Sequence, residues 1–251
     1  MSNSYRLDQI YSLLLRNGKA SVDELAQCFN VTSTTIRRDL LLLEDRGLIY
    51  RTRGYAYIVD SNALSTSGIL EEEKKRIAEA AMNYVQLPMS IAMDSGSTVY
   101  AVCDELINRF STNQNHMLDI VTHSLSIALR ASKYFQVSMP GGAVMQDTLV
   151  GVDVSDFYQK INVDLTFLSS TGVNNCNGLT VSYPLQLSVK EKTAACAKKR
   201  IAVLDSSKFI KRGIYTFCNF KDIDIMITVE TDDNKEQLDY IYKQGVDIVT
   251  V

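Results

Sequence analysis

Val31-Thr32-Ser33-Thr34-Thr35-Ile36-Arg37-Arg38-Asp39-Leu40-Leu41-Leu42-Leu43-Glu44-Asp45-Arg46-Gly47 is the stretch on which the reading of this chain turns. Thr32 suits a helix N-cap, because its hydroxyl accepts a hydrogen bond from one of the first backbone amides, which lack an intrahelical partner. Ile36, Leu40 and Leu43 recur at helical spacing and define one buried face. Gly47 closes such a helix, since glycine enters the left-handed region without a Cβ penalty. The exposed N-terminal part then presents Ser33, Thr34, Thr35, Arg37 and Arg38. Hydroxyls and guanidiniums are the groups that bond base edges and phosphate oxygens. Upstream, Ser21 precedes Val22, Leu25 and Ala26, a short amphipathic segment at the separation a helix-turn-helix needs. The spacing predicts a recognition helix for a DNA major groove. The plainer alternative is a surface helix with a solvated basic face, whose charge Asp39, Glu44 and Asp45 partly cancel.

The residues on either side favour DNA. Leu48-Ile49-Tyr50-Arg51-Thr52 and Tyr55-Ala56-Tyr57-Ile58-Val59 are β-rich runs around Arg53-Gly54, the pattern of a hairpin. Its Arg51 and Arg53 are placed to reach a phosphate strand. A first helix over residues 6–15 has Leu7, Ile10 and Leu14 on its inner face, and Arg6 at its start is counted with the DNA contacts. Helix, helix, recognition helix and hairpin make the winged-helix plan. Ser21-Val22-Asp23-Glu24-Leu25-Ala26, Thr35-Ile36-Arg37-Arg38-Asp39-Leu40 and Gly47-Leu48-Ile49-Tyr50-Arg51 together resemble the N-terminal module of DeoR-type transcriptional regulators. One departure is Arg53-Gly54-Tyr55-Ala56, where that family usually carries His-Gly-Gly-Ala, so the wing's contacts differ.

Of the 251 residues, 46% are hydrophobic and 22% charged, ordinary values for a globular chain with material for one large or two smaller cores. No apolar run approaches the roughly 18 to 20 residues of a bilayer span, and the first residues lack the apolar core of a secretory signal. A cytoplasmic protein with no membrane partner is expected. Five cysteines without a Cys-x-x-Cys pair and two histidines argue against a disulfide framework, a metal site or a cofactor, and for buried reduced thiols. The net charge of −3 divides into +2 over residues 1–59 and −5 over residues 60–251. A mildly basic head on an acidic body fits a DNA-reading module carried by a larger domain. Phosphate neutralisation supplies most DNA affinity, so so weak a head must be used in multiples, as a homo-oligomer (dimer or tetramer).

The expected layout is a winged helix-turn-helix DNA-binding domain at 1–59, a small polar linker at 60–70, and an α/β effector-sensing and oligomerisation domain at 71–251. A charged helix starting at Glu71 buries Ile77, Ala78, Ala81, Met82 and Val85. Strands are expected near 90–94, 118–122, 135–139, 164–168, 200–205, 224–229 and 246–251. Helices are expected near 98–109, 124–133, 186–198 and 233–244. Such alternation predicts a mostly parallel sheet flanked by helices.

Ligands of open α/β sheets bind outside the carboxyl ends of the strands. Asp94-Ser95-Gly96-Ser97-Thr98 reads there as a phosphate cradle at a helix N-terminus, or else as a capping turn. Thr122, His123 and Ser124 open another helix. Gly141 and Gly142 permit close backbone approach or form a plain turn. A fourth strand runs into Ser169-Ser170-Thr171-Gly172, and a fifth into Asp205-Ser206-Ser207-Lys208. Lys208 there either neutralises a phosphate or is a solvated charge.

These segments, with Val121-Thr122-His123-Ser124-Leu125, Gly178-Leu179-Thr180 and Val189-Lys190, also resemble the C-terminal sensor domain of the DeoR-type regulators. The resemblance implies a fold similar to ribose-phosphate-isomerase-like domains and a response to phosphorylated sugars, and it adds Gly172 and Lys190 to the effector-binding set. Three positions depart: His123 stands for the usual Asn, Ser169 for Gly, and Gln186 and Ser188 where an acidic residue is usual. The leading reading is a sequence-specific transcriptional regulator, a repressor of carbohydrate-metabolism genes. It binds a double-stranded DNA operator and answers a phosphorylated sugar effector. One rival is a sugar-phosphate isomerase or deaminase with an attached DNA-binding head, for which only Asp94 and His123 qualify as acid and base. The other is a ligand-free DNA-binding scaffold.

Overall fold

Ser21 and Glu24 close a reciprocal cap. The Ser21 hydroxyl accepts the Glu24 amide at 3.1 Å, and the Glu24 carboxylate accepts the Ser21 amide at 2.7 Å. This capping box starts α2 (Val22–Phe29). Before it lie α1 (Asn3–Asn17) and β1 (Lys19–Ser21); after it come α3 (Ser33–Asp45), β2 (Ile49–Thr52) and β3 (Tyr55–Ile58). The computed structural model describes residues 3–17, 19–45, 49–52, 54–58, 68–111 and 117–251, and it divides into two compact units, Met1–Glu71 and Glu72–Val251. Asn30 ends α2 in the left-handed conformation, and the Thr32 hydroxyl accepts the Thr35 amide at 3.3 Å, the cap expected for α3. Leu7, Ile10, Leu14, Leu25, Ile36, Leu40, Leu43, Ile49 and Ala56 form one core. The β2–β3 hairpin pairs Arg51 with Ala56 across Gly54, whose φ is +81°. A third strand, β1, pairs antiparallel with β3 and was not expected: three residues are too few to show a period. Gly47, Arg53 and most of the expected linker lie outside the described residues, as does the Arg51 side chain.

α4 (Gly68–Ala81) leads into the second unit, which continues with β4 (Met89–Met93), α5 (Ser97–Phe110), β5 (Leu118–Thr122), α6 (Leu125–Ala131) and β6 (Gln136–Ser138). A hairpin follows, β7 (Ala143–Met145) and β8 (Thr148–Val150), then α7 (Val152–Gln159) and β9 (Val163–Leu168). The remainder is β10 (Gly178–Val181), α8 (Pro184–Ala195), β11 (Ala197–Leu204), β12 (Tyr215–Asn219), β13 (Ile225–Thr228), α9 (Lys235–Lys243) and β14 (Asp247–Thr250). Seven strands pair in parallel in the order β14-β13-β11-β9-β4-β5-β6. They are the seven expected from the sequence. The β7–β8 hairpin, α7 and the antiparallel β10–β12 pair were not. α7 carries Val152, Val154, Ser155 and Asp153, residues of poor helix propensity, and packing of Val154 and Tyr158 overrides it.

Side chains alternate across the sheet. Ile91, Met93, Phe167, Ile201, Val203, Ile225 and Ile227 face the helices that supply Ile77, Val99, Val102 and Leu106. On the opposite face, Ala92 and Val121 pack with Leu149, Val154, Tyr158 and Val189. Cys103, Cys196 and Cys218 are buried free thiols, whereas Cys28 is exposed. No helix among the described residues is long and apolar enough to cross a membrane.

The chain lays down β4, moves outward through β5 and β6, then crosses back to place β9 on the other side of β4. The strand order therefore reverses between β4 and β9, and the crevice at their carboxyl ends is the place where such sheets bind ligands. Several glycines around it are set by packing. A Cβ on Gly172 would collide with the Lys211 carbonyl, and one on Gly142 would lie 2.5 Å from Val154, whereas Gly141 has open space. Gly172→Ala should therefore lower stability by about 1–3 kcal/mol, read as a fall in denaturation midpoint at unchanged slope. Gly141→Ala should leave the midpoint where it was. Equal midpoints for both variants would show that the 172 turn relaxes freely.

Candidate functional site

Asp94 follows the last residue of β4, is fully buried, and stands at the switch point. Its backbone amide bonds to Phe167 O of β9 at 3.0 Å. Its carboxylate accepts the Ser95 amide at 2.8 Å and the Ser169 amide at 3.1 Å, so both strand ends close around it. Lys190 of α8 contributes the counter-charge, with Nζ 2.7 and 2.6 Å from the two carboxylate oxygens. His123 Nε2 lies 3.4 Å from Oδ1, and its Nδ1 is 3.1 Å from the Tyr158 hydroxyl. Burial works to raise the Asp94 carboxyl, but the Lys190 charge and the His123 bond override it and hold the group well below the usual carboxylate range. Burial pushes the Tyr158 phenol far above its ordinary value. Tyr158 therefore keeps its hydroxyl proton, and its contact with Nδ1 and the Asp94 contact with Nε2 hold the imidazole ring between them. Lys190 also sits over the Phe217 ring, 5.3 Å from its centroid.

The neighbouring loops converge on this carboxylate. Gly96 has φ +117°, and its missing side chain faces Ser169 Oγ, which a Cβ would approach to 3.1 Å. α5 starts after it without a side-chain cap, so the positive end of the helix is left to its backbone amides. The Thr98 hydroxyl donates to Asp205 at 3.3 Å, joining the first turn of α5 to the end of β11. Asp205 also accepts the Ser207 amide at 3.1 Å and the Ser207 hydroxyl. The turn Ser206–Phe209 carries Lys208, whose ammonium is destabilised by burial, supported by Asp205, and further opposed by the charges of Lys211, Lys74 and Lys190. Lys74, Lys190 and the neighbouring Lys208 and Lys211, from three parts of the chain, thus act on one small region.

Asp94, Ser95, Gly96, Thr98, His123, Lys190 and Lys208 are linked in this way, and Ser97 is the first residue of α5. Other sequence-derived candidates have local duties. The Thr122 hydroxyl accepts the Ser124 amide at 3.0 Å, and Ser124 Oγ donates to Asp147 at 2.6 Å while capping α6. Gly142 and Gly172 answer to packing. The neutral residues that replace the family's usual acid are tethered as well, Gln186 to Thr148 at 3.4 Å and Ser188 to Ser155 at 3.0 Å. Asp205 was read from the sequence as part of the fifth strand-end loop but given no role, and Tyr158 was not singled out; nothing in its spacing places it beside His123.

On the helix-turn-helix unit, Thr34, Arg37 and Arg38 are exposed along α3. Ser33 donates to Asp23 at 3.2 Å, and Thr35 and Thr32 share a 3.0 Å hydroxyl contact. Arg6, counted from the sequence among the DNA contacts, is bonded inside the unit. Its Nε bonds the buried Asp39 carboxylate at 2.6 Å, so the guanidinium braces α3 against α1. Asp39 raises the Arg6 pKa through that bond.

A winged helix-turn-helix followed by a parallel α/β unit with a polar crevice at its switch point defines a DNA-reading module joined to a sensor-type domain. The chain matches the DeoR-like helix-turn-helix domain over residues 6–62 and the DeoR C terminal sensor domain over residues 70–230, and it belongs to the DeoR family of transcriptional regulators. It is 31% identical to the HTH-type transcriptional regulator GolR of Listeria innocua over 239 residues, covering 92% of this chain and 90% of that one. It is 29% identical to the HTH-type transcriptional regulator IolR of Bacillus subtilis over 238 residues, covering 92% of each. These relatives are regulators, not enzymes. Among solved structures, ribose 5-phosphate isomerase A of Methanocaldococcus jannaschii aligns with a TM-score of 0.41 at 19% identity, over 55% of this chain and 54% of that one.

Removing the Lys190 ammonium leaves the Asp94 charge buried and unpaired, so Lys190→Met should cost about 3–5 kcal/mol of stability. Adding Asp94→Asn should recover part of that loss, measured as a coupling in a double-mutant cycle. Strictly additive losses would show that the two side chains do not act as a pair.

Proposed function

We propose that this DeoR-family regulator is a repressor of carbohydrate-metabolism genes whose operator affinity is set by a phosphorylated sugar or related metabolite. The effector sits at the carboxyl ends of β4 and β11. The observation that carries this reading is the uncapped α5 N-terminus behind Gly96, tied through Thr98 and Asp205 to the turn that carries the partly buried Lys208, together with the fixed Asp94–Lys190–His123 cluster. Backbone amides at a helix start and a nearby ammonium suit a phosphate. The Asp94 cluster adds oriented polar groups that suit sugar hydroxyls. Residues 71–251 serve as the effector-sensing and oligomerisation domain, residues 1–59 as the DNA-binding domain, and 60–70 as the linker. The protein works in the cytoplasm as a homo-oligomer, because a head of charge +2 binds DNA weakly alone.

For the head, Thr34, Arg37 and Arg38 make the base and phosphate contacts from α3, with the wing arginines on the backbone. Arg37→Ala or Arg38→Ala should cost about 1–3 kcal/mol of operator affinity where the residue reads a base. Both variants should keep the melting behaviour of the second unit; unchanged operator affinity in both would move the recognition surface elsewhere.

For the sensor, the test is a panel of pentose and hexose monophosphates, screened by thermal shift and by an assay for turnover. Saturable stabilisation without product formation is expected. Ser97→Ala removes one hydroxyl donor to a charged group, a loss of about 1.5–3 kcal/mol, so effector binding should weaken roughly ten- to a hundredfold. Gly96→Val should weaken it more, since the larger side chain meets Ser169 and fills the cradle. Both variants should still bind operator without effector. A response like that of the wild type from Gly96→Val would mean the loop is only a turn.

A further inference from the structure

α4 buries Ile77, Ala78 and Ala81 along its length, as an amphipathic helix should. Its first turns break that rule. Glu73 is 5% exposed and Lys74 is 2% exposed, two consecutive charged side chains taken out of water. Burying a charge is costly unless it is paired and hydrogen-bonded, and packing alone gives no reason for charges at this seam. The Glu73 carboxylate takes two bonds from one residue: Oε2 accepts the Ser206 amide at 2.9 Å, and Oε1 accepts the Ser206 hydroxyl at 2.9 Å.

Ser206 opens the turn that carries Lys208. The residue before it, Asp205, is bonded to Thr98 in the first turn of α5. A short chain of contacts therefore runs from the Gly96 cradle through Thr98, Asp205 and Ser206 to Glu73. The charge of Lys74 also acts on Lys208. Glu73 is the second residue of the unit that begins at Glu72, and α4 is the helix through which the chain arrives from the linker.

We propose that α4 reports whether the anion site is filled, with Glu73 as the joint that ties this helix to the Ser206–Phe209 turn. The proposal rests on the effector reading above and adds the route by which occupancy leaves the site. An anion that draws Ser207 and Lys208 toward the cradle moves or stiffens the turn, and the two bonds to Glu73 oblige α4 to follow. A ligand biases α4 only through such a difference in interaction between two states.

The test is hydrogen exchange of the full-length protein, with and without millimolar inorganic phosphate or ribose 5-phosphate at matched ionic strength. In the wild type, exchange should slow both at residues 205–209 and in α4, by about fivefold or more, the lower end of ordinary site-to-site coupling. In Glu73→Ala, protection at 205–209 should persist while protection of α4 is lost. α4 protection that survives in Glu73→Ala overturns the proposal and leaves the effector site standing. A wild type protected at neither segment by either probe overturns the effector reading, and the proposal with it. Should Glu73→Ala loosen β9 and β11, Ser206→Ala carries the test, since it removes only the hydroxyl bond. A partial loss confined to α4 is then expected, and unchanged α4 protection overturns the proposal.

Discussion

The charge of Asp94 is the constraint on which the second unit depends. A carboxylate with no exposure at the carboxyl end of a central strand must be neutralised by protein groups, because water is not there to do it. Lys190, the Ser95 and Ser169 amides and His123 supply what is needed. Each comes from a different segment, so satisfying one carboxylate fixes α8, the β4 and β9 loops and the end of β5 in a single arrangement. A buried ion pair of this kind adds little net stability over an apolar alternative. Its effect is geometric: it holds the loops at the ends of β4, β5 and β9 in register beside the uncapped start of α5.

The helix-turn-helix unit is organised on a different principle, yet it uses the same device. Its core is apolar, from Leu7 to Ala56, and its described sheet is the β1-β3-β2 wing. Among the described residues Asp39 is a buried charge, answered by Arg6. Asp39 directly follows Arg37 and Arg38, so the ion pair on the inner side of α3 fixes the rotation at which those guanidiniums leave the outer side. In a head with so little net charge, orientation matters more than the number of basic groups.

The regular parts of this fold were legible because they repeat. Runs such as Ile91-Ala92-Met93 and Ile201-Ala202-Val203-Leu204 are buried on both faces, which parallel strands require, and all seven sheet strands were anticipated. The β7–β8 hairpin was not, since Ala143 and Val144 are exposed and show no alternation. Of the site, the loop residues at strand ends could be read from position alone. The pairing partners could not. Lys190 reaches Asp94 across 96 positions, Glu73 reaches Ser206 across 133, and Arg6 reaches Asp39 across 33. In each case the residue type announced a charge, but only the tertiary fold decides whether the charge faces solvent, DNA or another side chain. Arg6 is the instructive case: a basic residue at the start of a DNA-binding unit was counted as a contact, and its guanidinium is bonded to Asp39 of α3.

The claim at the centre of this account is that a phosphate group is held where β4 and β11 end. The most direct measurement is a crystal structure of the full-length protein with whichever sugar monophosphate stabilises it most. The phosphate is expected within hydrogen-bonding distance of the Ser97 backbone amide and the Lys208 ammonium, with sugar hydroxyls toward the Asp94–Lys190–His123 cluster. A sugar phosphate bound at full occupancy elsewhere on the unit, with this crevice unfilled, would contradict it.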